Sequence, residues 1–326
     1  MRPKWVALVS ALLLLAFPGA ARSGTLSGTL VVDNTPGDKD CPQAEFVSIQ
    51  EAVAVSQPGQ HILVCAGVYN EQVVVTTPHD DISIEAKGAP GTVIMTGEGL
   101  PELPGAAFTL TNVSGVLIEG FTIMEYHEAG ILLGTPGPPF GVGLPGASNN
   151  TIRENDVTDT HHDGIALYNS PGNVIRQNFL HELPSPIACG IQVGFPGSIG
   201  NAVFNNVVRR ASFGIRLNDG AANNVIHNND SSFNRRYGIL NRTGANGTLI
   251  SENFTYFNTG TGVPPTEGRG IGITTGSSGV VVENNHSFFN TIDLFWDGTG
   301  ADAFHNNHCD TSVPPGLCTP DEEEAH

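Results

Sequence analysis

The chain of 326 residues carries 40 glycines, 22 prolines and only 14% charged residues, a composition that argues against a helical bundle. Its 32 acidic and 14 basic side chains leave a formal net charge of −18, a surface that repels nucleic acid and anionic lipid. No nucleic-acid partner is expected, and a polyanionic glycan would need local basic residues or a bound cation.

In chain order, the first segment is MRPKWVALVSALLLLAFPGAARS. Arg2 and Lys4 precede an apolar run from Trp5 to Phe17, and small residues follow at Ala20 and Ala21. Residues 1–23 therefore read as a secretory signal peptide, which places the mature protein in the periplasm, in the medium or on the cell surface. No later stretch reaches the ~18 apolar residues of a membrane span, so no stable insertion is expected after cleavage.

Residues 45–75, EFVSIQEAVAVSQPGQHILVCAGVYNEQVVV, put Phe46, Ile49, Ala52 and Val53 on one face of a short helix. Pro58-Gly59, a strand, a GVY turn and a second strand follow. Cys41 with Cys65, and Cys309 with Cys318, are plausible disulfides of an exported chain, leaving Cys189 as a buried thiol. Neither CxxC nor HExxH spacing occurs, so the usual zinc signatures are absent.

From residue 150 onward the chain repeats. NTIREN, NVIRQN, NAVFNN, NVIHNN, TLISEN, VVVENN and DAFHNN end on Asn155, Asn178, Asn206, Asn229, Asn253, Asn285 and Asn307, with intervals of 23, 28, 23, 24, 32 and 22 residues. A second motif keeps step: AGILL, DGIALY, CGIQVG, FGIRLN, YGILN and RGIGIT, with glycines 130, 164, 190, 214, 238 and 270. Alternation over four to six residues reads as half-buried strand, and Gly, Asn and Pro read as turns. One such unit cannot bury its apolar face alone, but stacked units can. Ile152, Ile175, Val203, Ile226, Ile250 and Val282 would form one internal column, and Ile165, Ile191, Ile215, Ile239 and Ile271 another. A period near 23 suits a coil of two or three short strands.

The GIxL and NxIxxN units, with the 45–75 segment, resemble right-handed parallel β-helix proteins of the pectin-lyase-like fold. Among these, the chain is most similar to the exported group that includes the periplasmic nitrous-oxide-reductase maturation proteins. The resemblance implies an all-β, single-stranded right-handed parallel β-helix over residues 24–310, with an N-terminal cap at about 29–75 built on the short helix. Residues 311–326 are left as an acidic C-terminal tail. It also implies that the seven recurrent asparagines stack in a ladder, each amide bonding the next. Beyond the signal segment, the Arg-x-x-Trp motif of pectinesterases, the ordered blocks of polygalacturonases and the Arg-x-Pro-x-x-Arg of many pectate lyases are missing.

Measured from the recurrent glycine, one turn column carries His127, Glu128, His161, His162 and Asp163 in two neighbouring coils. Farther along it carries Arg235, Arg236, Tyr237, Glu267 and Arg269. Insertions at 181–190 and 257–270 fall in the same turn, and a third at 134–148 leaves the strand after Gly130. Insertions on one face of a solenoid often build its binding face. His161, His162, Asp163, His127 and Glu128 are thus the candidate catalytic residues; Arg235, Arg236, Tyr237 and Arg269 are the candidate substrate-binding residues.

Such residues suit a uronic-acid glycan. Elimination needs a carboxylate neutraliser, a base and an acid, roles open to Arg or a cation, His, and Tyr. Hydrolysis needs paired carboxylates, for which Glu128 with Asp163 or Asp156 with Asp159 are the candidates. The sequence predicts a monomeric protein that binds or processes a polysaccharide or cell-surface glycan on this face. Whether it is an enzyme stays open; if so, it is a polysaccharide lyase or glycoside hydrolase. No cofactor is specified, Ca²⁺ is the cation kept open, and metal ligands are unknown. Two alternatives stand: a non-catalytic structural or adhesive β-helix, and a periplasmic metal-handling protein.

Overall fold

The computed structural model describes residues 28–35, 39, 41–102, 105–135, 145–260, 268–274 and 276–319. The signal-peptide segment, most of the 134–148 insertion, Glu267 and the tail from residue 320 lie outside them. Among the described residues, no helix is long and apolar enough to cross a membrane.

The alternating runs stack into three parallel sheets of 11, 10 and 10 strands, so each coil contributes one short strand to each. Sheet 1 holds the strands before the recurrent asparagine, such as Thr151–Arg153 and Val174–Arg176. Sheet 2 holds those after it, such as Asp156–Thr158 and Phe179–His181. Sheet 3 holds the Gly-Ile strands, such as Ala129–Leu133, Asp163–Tyr168, Cys189–Gly194 and Phe213–Asn218.

Both apolar columns exist in the expected register. Ile152 pairs with Ile175 and Ile175 with Val203 in sheet 1, while Ile165 pairs with Ile191 and Ile191 with Ile215 in sheet 3. All are fully buried in one continuous core, each worth about 1.5–3 kcal/mol of burial. The inner column of sheet 2 changes character along the axis. Val157, Leu180 and Val208 give way to Ser231, Thr255 and Ser287. The hydroxyls are satisfied inside: Ser231 donates to Gly238 O at 2.6 Å and Thr255 to Ser287 Oγ at 2.8 Å.

The asparagine ladder is continuous. Asn178 Nδ2 donates to Asn206 Oδ1 at 3.0 Å, and Asn206 Nδ2 to Asn229 Oδ1 at 3.0 Å. Two further ladders occupy the other corners, Asn150–Asn173–Asn201–Asn224 and Asn234–Asn258–Asn290. The recurrent glycines are there for space. A Cβ on Gly190 would meet Val208 Cγ1 at 2.1 Å and Gly214 O at 2.7 Å.

At the N-terminal end the helix Ile49–Val55 lays Ile49, Ala52 and Val53 into the core. Glu71 accepts from Ile49 N at 2.9 Å and Gln50 N at 3.0 Å, satisfying donors that a helix start leaves unpaired. Two boundaries differ from the expectation. Gly67–Tyr69 is a strand of sheet 2 and not a turn, because Val68 pairs with Ile94. The last coil also runs past residue 310: Ser312–Val313 pairs with Leu294–Phe295, and Thr319 bridges His308. Cys41–Cys65 and Cys309–Cys318 are bonded, and Cys189 is a buried free thiol.

Candidate functional site

The corner between sheets 2 and 3 brings Tyr126-His127-Glu128 beside His161-His162-Asp163. His161 N donates to Tyr126 O at 2.8 Å and Asp163 N to Glu128 O at 3.0 Å, so the two tripeptides lie in adjacent coils. Successive side chains diverge there. The His127 and His161 rings lie 5.1 Å apart over an open depression of about 440 Å³, also lined by Gln72, Glu102, Glu125 and Asp159. Glu128 and Asp163 are buried and His162 nearly so; Asp163 stands on the outer face of sheet 3.

Asp163 is the centre of a polar network. Its Oδ1 accepts from Cys189 N at 2.9 Å, its Oδ2 from Tyr168 OH at 3.1 Å, and His162 Nδ1 lies 3.1 Å from Oδ2. One coil on, Gln192 Oε1 accepts from Arg216 Nε at 2.5 Å and from Cys189 Sγ at 3.3 Å, while the Gln192 amide donates to Asn218. Burial alone would raise the Asp163 carboxyl, but His162, the Arg216 charge and the Cys189 amide hold it below its ordinary value. Its hydrogen bond to Asp163 lifts the His162 imidazole above its usual range, against the pull of burial. Burial raises Glu128, with His162 working the other way. It also pushes the Cys189 thiol and the Tyr168 phenol well up, so neither is an anion at neutral pH.

The second candidate group divides. Arg236 and Arg216 lie over the Phe213 ring at 4.6 and 4.9 Å, and Phe213 stacks on Tyr237 at 5.9 Å. Arg269 donates to Tyr237 OH at 2.6 Å and lies 3.4 Å from the Phe295 ring centre. Arg235 is turned away from this cluster and donates to Leu183 O at 2.8 Å and Ser185 O at 2.6 Å. Its guanidinium holds the 181–188 loop in place. Asp163 and Tyr237 are three coils apart, about 14 Å on the spacing of a sheet, and Arg216, bonded to Gln192 and lying over Phe213, links the two groups.

The carboxylate pairs do not form open pairs. Glu128 and Asp163 are both buried beside His162. Asp156 lies 3.0 Å from His181 Nε2, while Asp159 faces the depression. Among the described residues, no group of three or more His, Cys, Asp or Glu side chains is placed to hold a metal ion. Ca²⁺ takes ~6–8 oxygen ligands, a set that these residues do not supply. Tyr168, Gln192, Arg216 and Asn218 escaped the sequence reading. Their signal was faint: Arg216 stands at an outward strand position where its register neighbours are Gln192 and Leu240.

The chain belongs to the right-handed β-helix family, whose model matches residues 106–287, more than half of it. Solved structures with this fold include a pectate lyase, Pel9A, at 16% identity and a TM-score of 0.70, covering 90% of this chain and 79% of that one. An alginate lyase from Paenibacillus sp. str. FPU-7 is 15% identical with a TM-score of 0.63, over 82% of this chain and 93% of that one. The periplasmic alginate epimerase AlgG is 15% identical with a TM-score of 0.55, over 78% and 61%. At such identities the likeness is one of fold. No curated protein matches the sequence.

Proposed function

We propose that this protein binds and processes a polysaccharide along the corner where sheets 2 and 3 meet, with His127 and His161 as its acid–base pair. The observation that carries the reading is their placement. Two imidazoles stand side by side over an open depression with Glu102, Glu125 and Asp159 around them. A straight solenoid wall offers such a depression to an extended polymer, and pairs of titratable groups in a cleft are what proton transfer to and from a glycosidic bond requires. The names of the pectate and alginate lyases of this fold support a glycan as the partner.

His162 and Asp163 act from behind. The buried pair fixes the turn from which His161 projects, so in this reading they are positioning residues. Arg236, Tyr237 and Arg269 form a cationic and aromatic face three to four coils along, suited to bind a distant part of the chain. The segment 1–23 and the two disulfides support an exported protein. One observation favours a non-catalytic β-helix instead: the Asp163 network is shut from solvent and ties adjacent coils together.

The test incubates the mature protein with soluble neutral and uronic-acid polysaccharides, following 235 nm absorbance for unsaturated ends and reducing ends in parallel. A signal in either channel that His161→Ala abolishes supports the reading. Silence in both, with no retention on any glycan, assigns the protein to the structural class.

A further inference from the structure

The corner that joins sheets 2 and 3 holds one residue per coil in the left-handed backbone region. These are Glu125, Asp159 and Glu182, then Arg210, then Phe233, Phe257 and Phe289, with φ between 49° and 63°. The register confirms the column, since the residues just before them pair in sequence: Met124 with Thr158, Thr158 with His181, His181 with Arg209, Arg209 with Ser232, and Tyr256 with Phe288. The parallel corner between sheets 1 and 2 has the same backbone and fills it with Glu154, Gln177, Asn205, Asn228, Glu252, Asn284 and Asn306. Those are residues that tolerate a left-handed position or solvate easily.

Phenylalanine does neither. A bulky side chain is a rare occupant of that region, and three in succession expose their rings at 49%, 44% and 61%. The scaffold has no need of them, because polar residues close the equivalent corner. They are ordered against one another, with ring centres 5.1 Å apart from Phe233 to Phe257 and 5.0 Å from Phe257 to Phe289. The same column lines two open hollows. Glu125 and Asp159 belong to the depression with His127 and His161, and Glu182, Arg210 and Phe233 to a second hollow of about 300 Å³. Depression, hollow and phenyl row thus lie on one line along the solenoid.

We propose that Phe233, Phe257 and Phe289 form a docking track for an uncharged stretch of the glycan chain whose reacting linkage lies at His127 and His161, an inference that rests on the reading above. A linear ligand fits because the features are linear: from Asp159 to Phe289 are five coils, about 24 Å at the strand spacing of a sheet. The row brings one ring per coil and no charge. Sugar C–H faces pack on such rings, whereas a uronate on every residue would lay carboxylates over phenyl groups with no counter-charge in the row. The track therefore selects a neutral polysaccharide, long enough to reach both ends, over the polyuronate that the residues of the turn column suggested.

Affinity electrophoresis of the full chain in gels containing xylan, galactomannan, hydroxyethylcellulose, polygalacturonate or alginate tests this. The variant is F233N/F257N/F289N, chosen because asparagine accepts the left-handed backbone, with F257N alone as the milder control. At least one neutral polymer should retard the wild type, and the triple variant should bind it at least tenfold more weakly with an unchanged urea midpoint. Equal retardation of both proteins overturns the track while leaving the His127–His161 reading to its own turnover assay. Retardation by polygalacturonate or alginate only overturns the neutral assignment. If no polymer retards the wild type, the glycan reading fails and the track with it. If sedimentation velocity shows a dimer that only the triple variant loses, with retardation unchanged, the row is a face for a second copy of this chain and the proposal is overturned.

Discussion

His162 and Asp163 are consecutive in sequence, yet their side chains meet: Nδ1 and Oδ2 are 3.1 Å apart at the edge of a fully buried site. The contact gives stability a defined pH window. The Asp163 bond raises His162, so its contribution is complete below the ordinary histidine value of ~6.5 and is lost as pH rises through the raised value. For Asp163, burial is outweighed by His162 and Arg216, so its contribution is complete above ~3.9 and is lost as pH falls through the lowered value. Glu128, raised by burial, opposes stability as it ionises above ~4.3. Urea midpoints should therefore peak in mildly acidic buffer and decline on the alkaline side. His162→Gln should flatten that decline; a decline that survives the substitution would assign it to other groups.

Asp163→Ala tests how much the network carries. Removing one partner of a buried pair costs about 3–5 kcal/mol, because the other charge is left uncompensated. Here both His162 and Arg216 lose their carboxylate, and Cys189 N loses an acceptor. A fall of that size in unfolding free energy is expected, with Asp163→Asn milder because the amide oxygen still accepts from Cys189 N and the Tyr168 hydroxyl can turn to accept from the amide nitrogen. Equal losses in the two variants would show that the lost charge, and not the hydrogen-bond acceptor, is what matters.

A Gly190→Ala substitution should cost about 1–3 kcal/mol or more as overpacking, since its Cβ meets backbone at Gly214 O, which cannot move aside. Gly200→Asn should be nearly silent: φ is +69°, which asparagine accepts, and nothing lies within 4 Å. Thermal melts of the two variants check the contrast, and similar melting temperatures would refute the steric reading of the glycine column.

Asn206→Ala should be the costlier change among ladder positions. The Asn206 amide donates to Ile175 O, Phe204 O and Asn229 Oδ1, and its Oδ1 accepts from both nitrogens of Asn178. Each buried group left unsatisfied costs about 1–3 kcal/mol, so a loss above ~3 kcal/mol is expected. Asn307, at the end of the ladder, should cost less, and equal denaturation midpoints for the two alanine variants would count against the ladder as a cooperative element.

These contrasts mark what the sequence could and could not disclose. Ile152, Ile175 and Val203 were legible because a two-residue alternation repeated at a fixed interval leaves one register that buries them. Sheet 2 was not, since Asp-Ser-Ser and His-Ser-Phe carry no apolar alternation; Ser231 and Ser287 are tolerated inside only because backbone carbonyls accept from them. His127 and His161 were placed in one column from the glycine register. Their divergence from Glu128 and His162, which separates an open pair from a buried one, depends on the twist of the corner. The phenyl row was written in the sequence at a constant distance from the ladder, as Asn229 to Phe233, Asn253 to Phe257 and Asn285 to Phe289. Counting from the glycine hid it, because the insertions fall between the two landmarks.

His161→Ala separates chemistry from scaffold. The ring faces the depression and makes its contact with His127, so truncation should shift stability by no more than ~0.5 kcal/mol, as for other surface changes. General acid or base groups contribute about 10²–10⁴ in rate, so turnover of a responsive polysaccharide should fall at least ~100-fold in His161→Ala. His127→Ala should fall comparably, and the double variant should lose little more, because two groups acting on one proton path are not additive. Glu102→Gln, which alters only an exposed neighbour 3.8 Å from His127, should be far milder. If His161→Ala retained full turnover while His162→Gln lost it with an unchanged melting temperature, the chemistry would belong to the buried pair, and that corner would have to open for it.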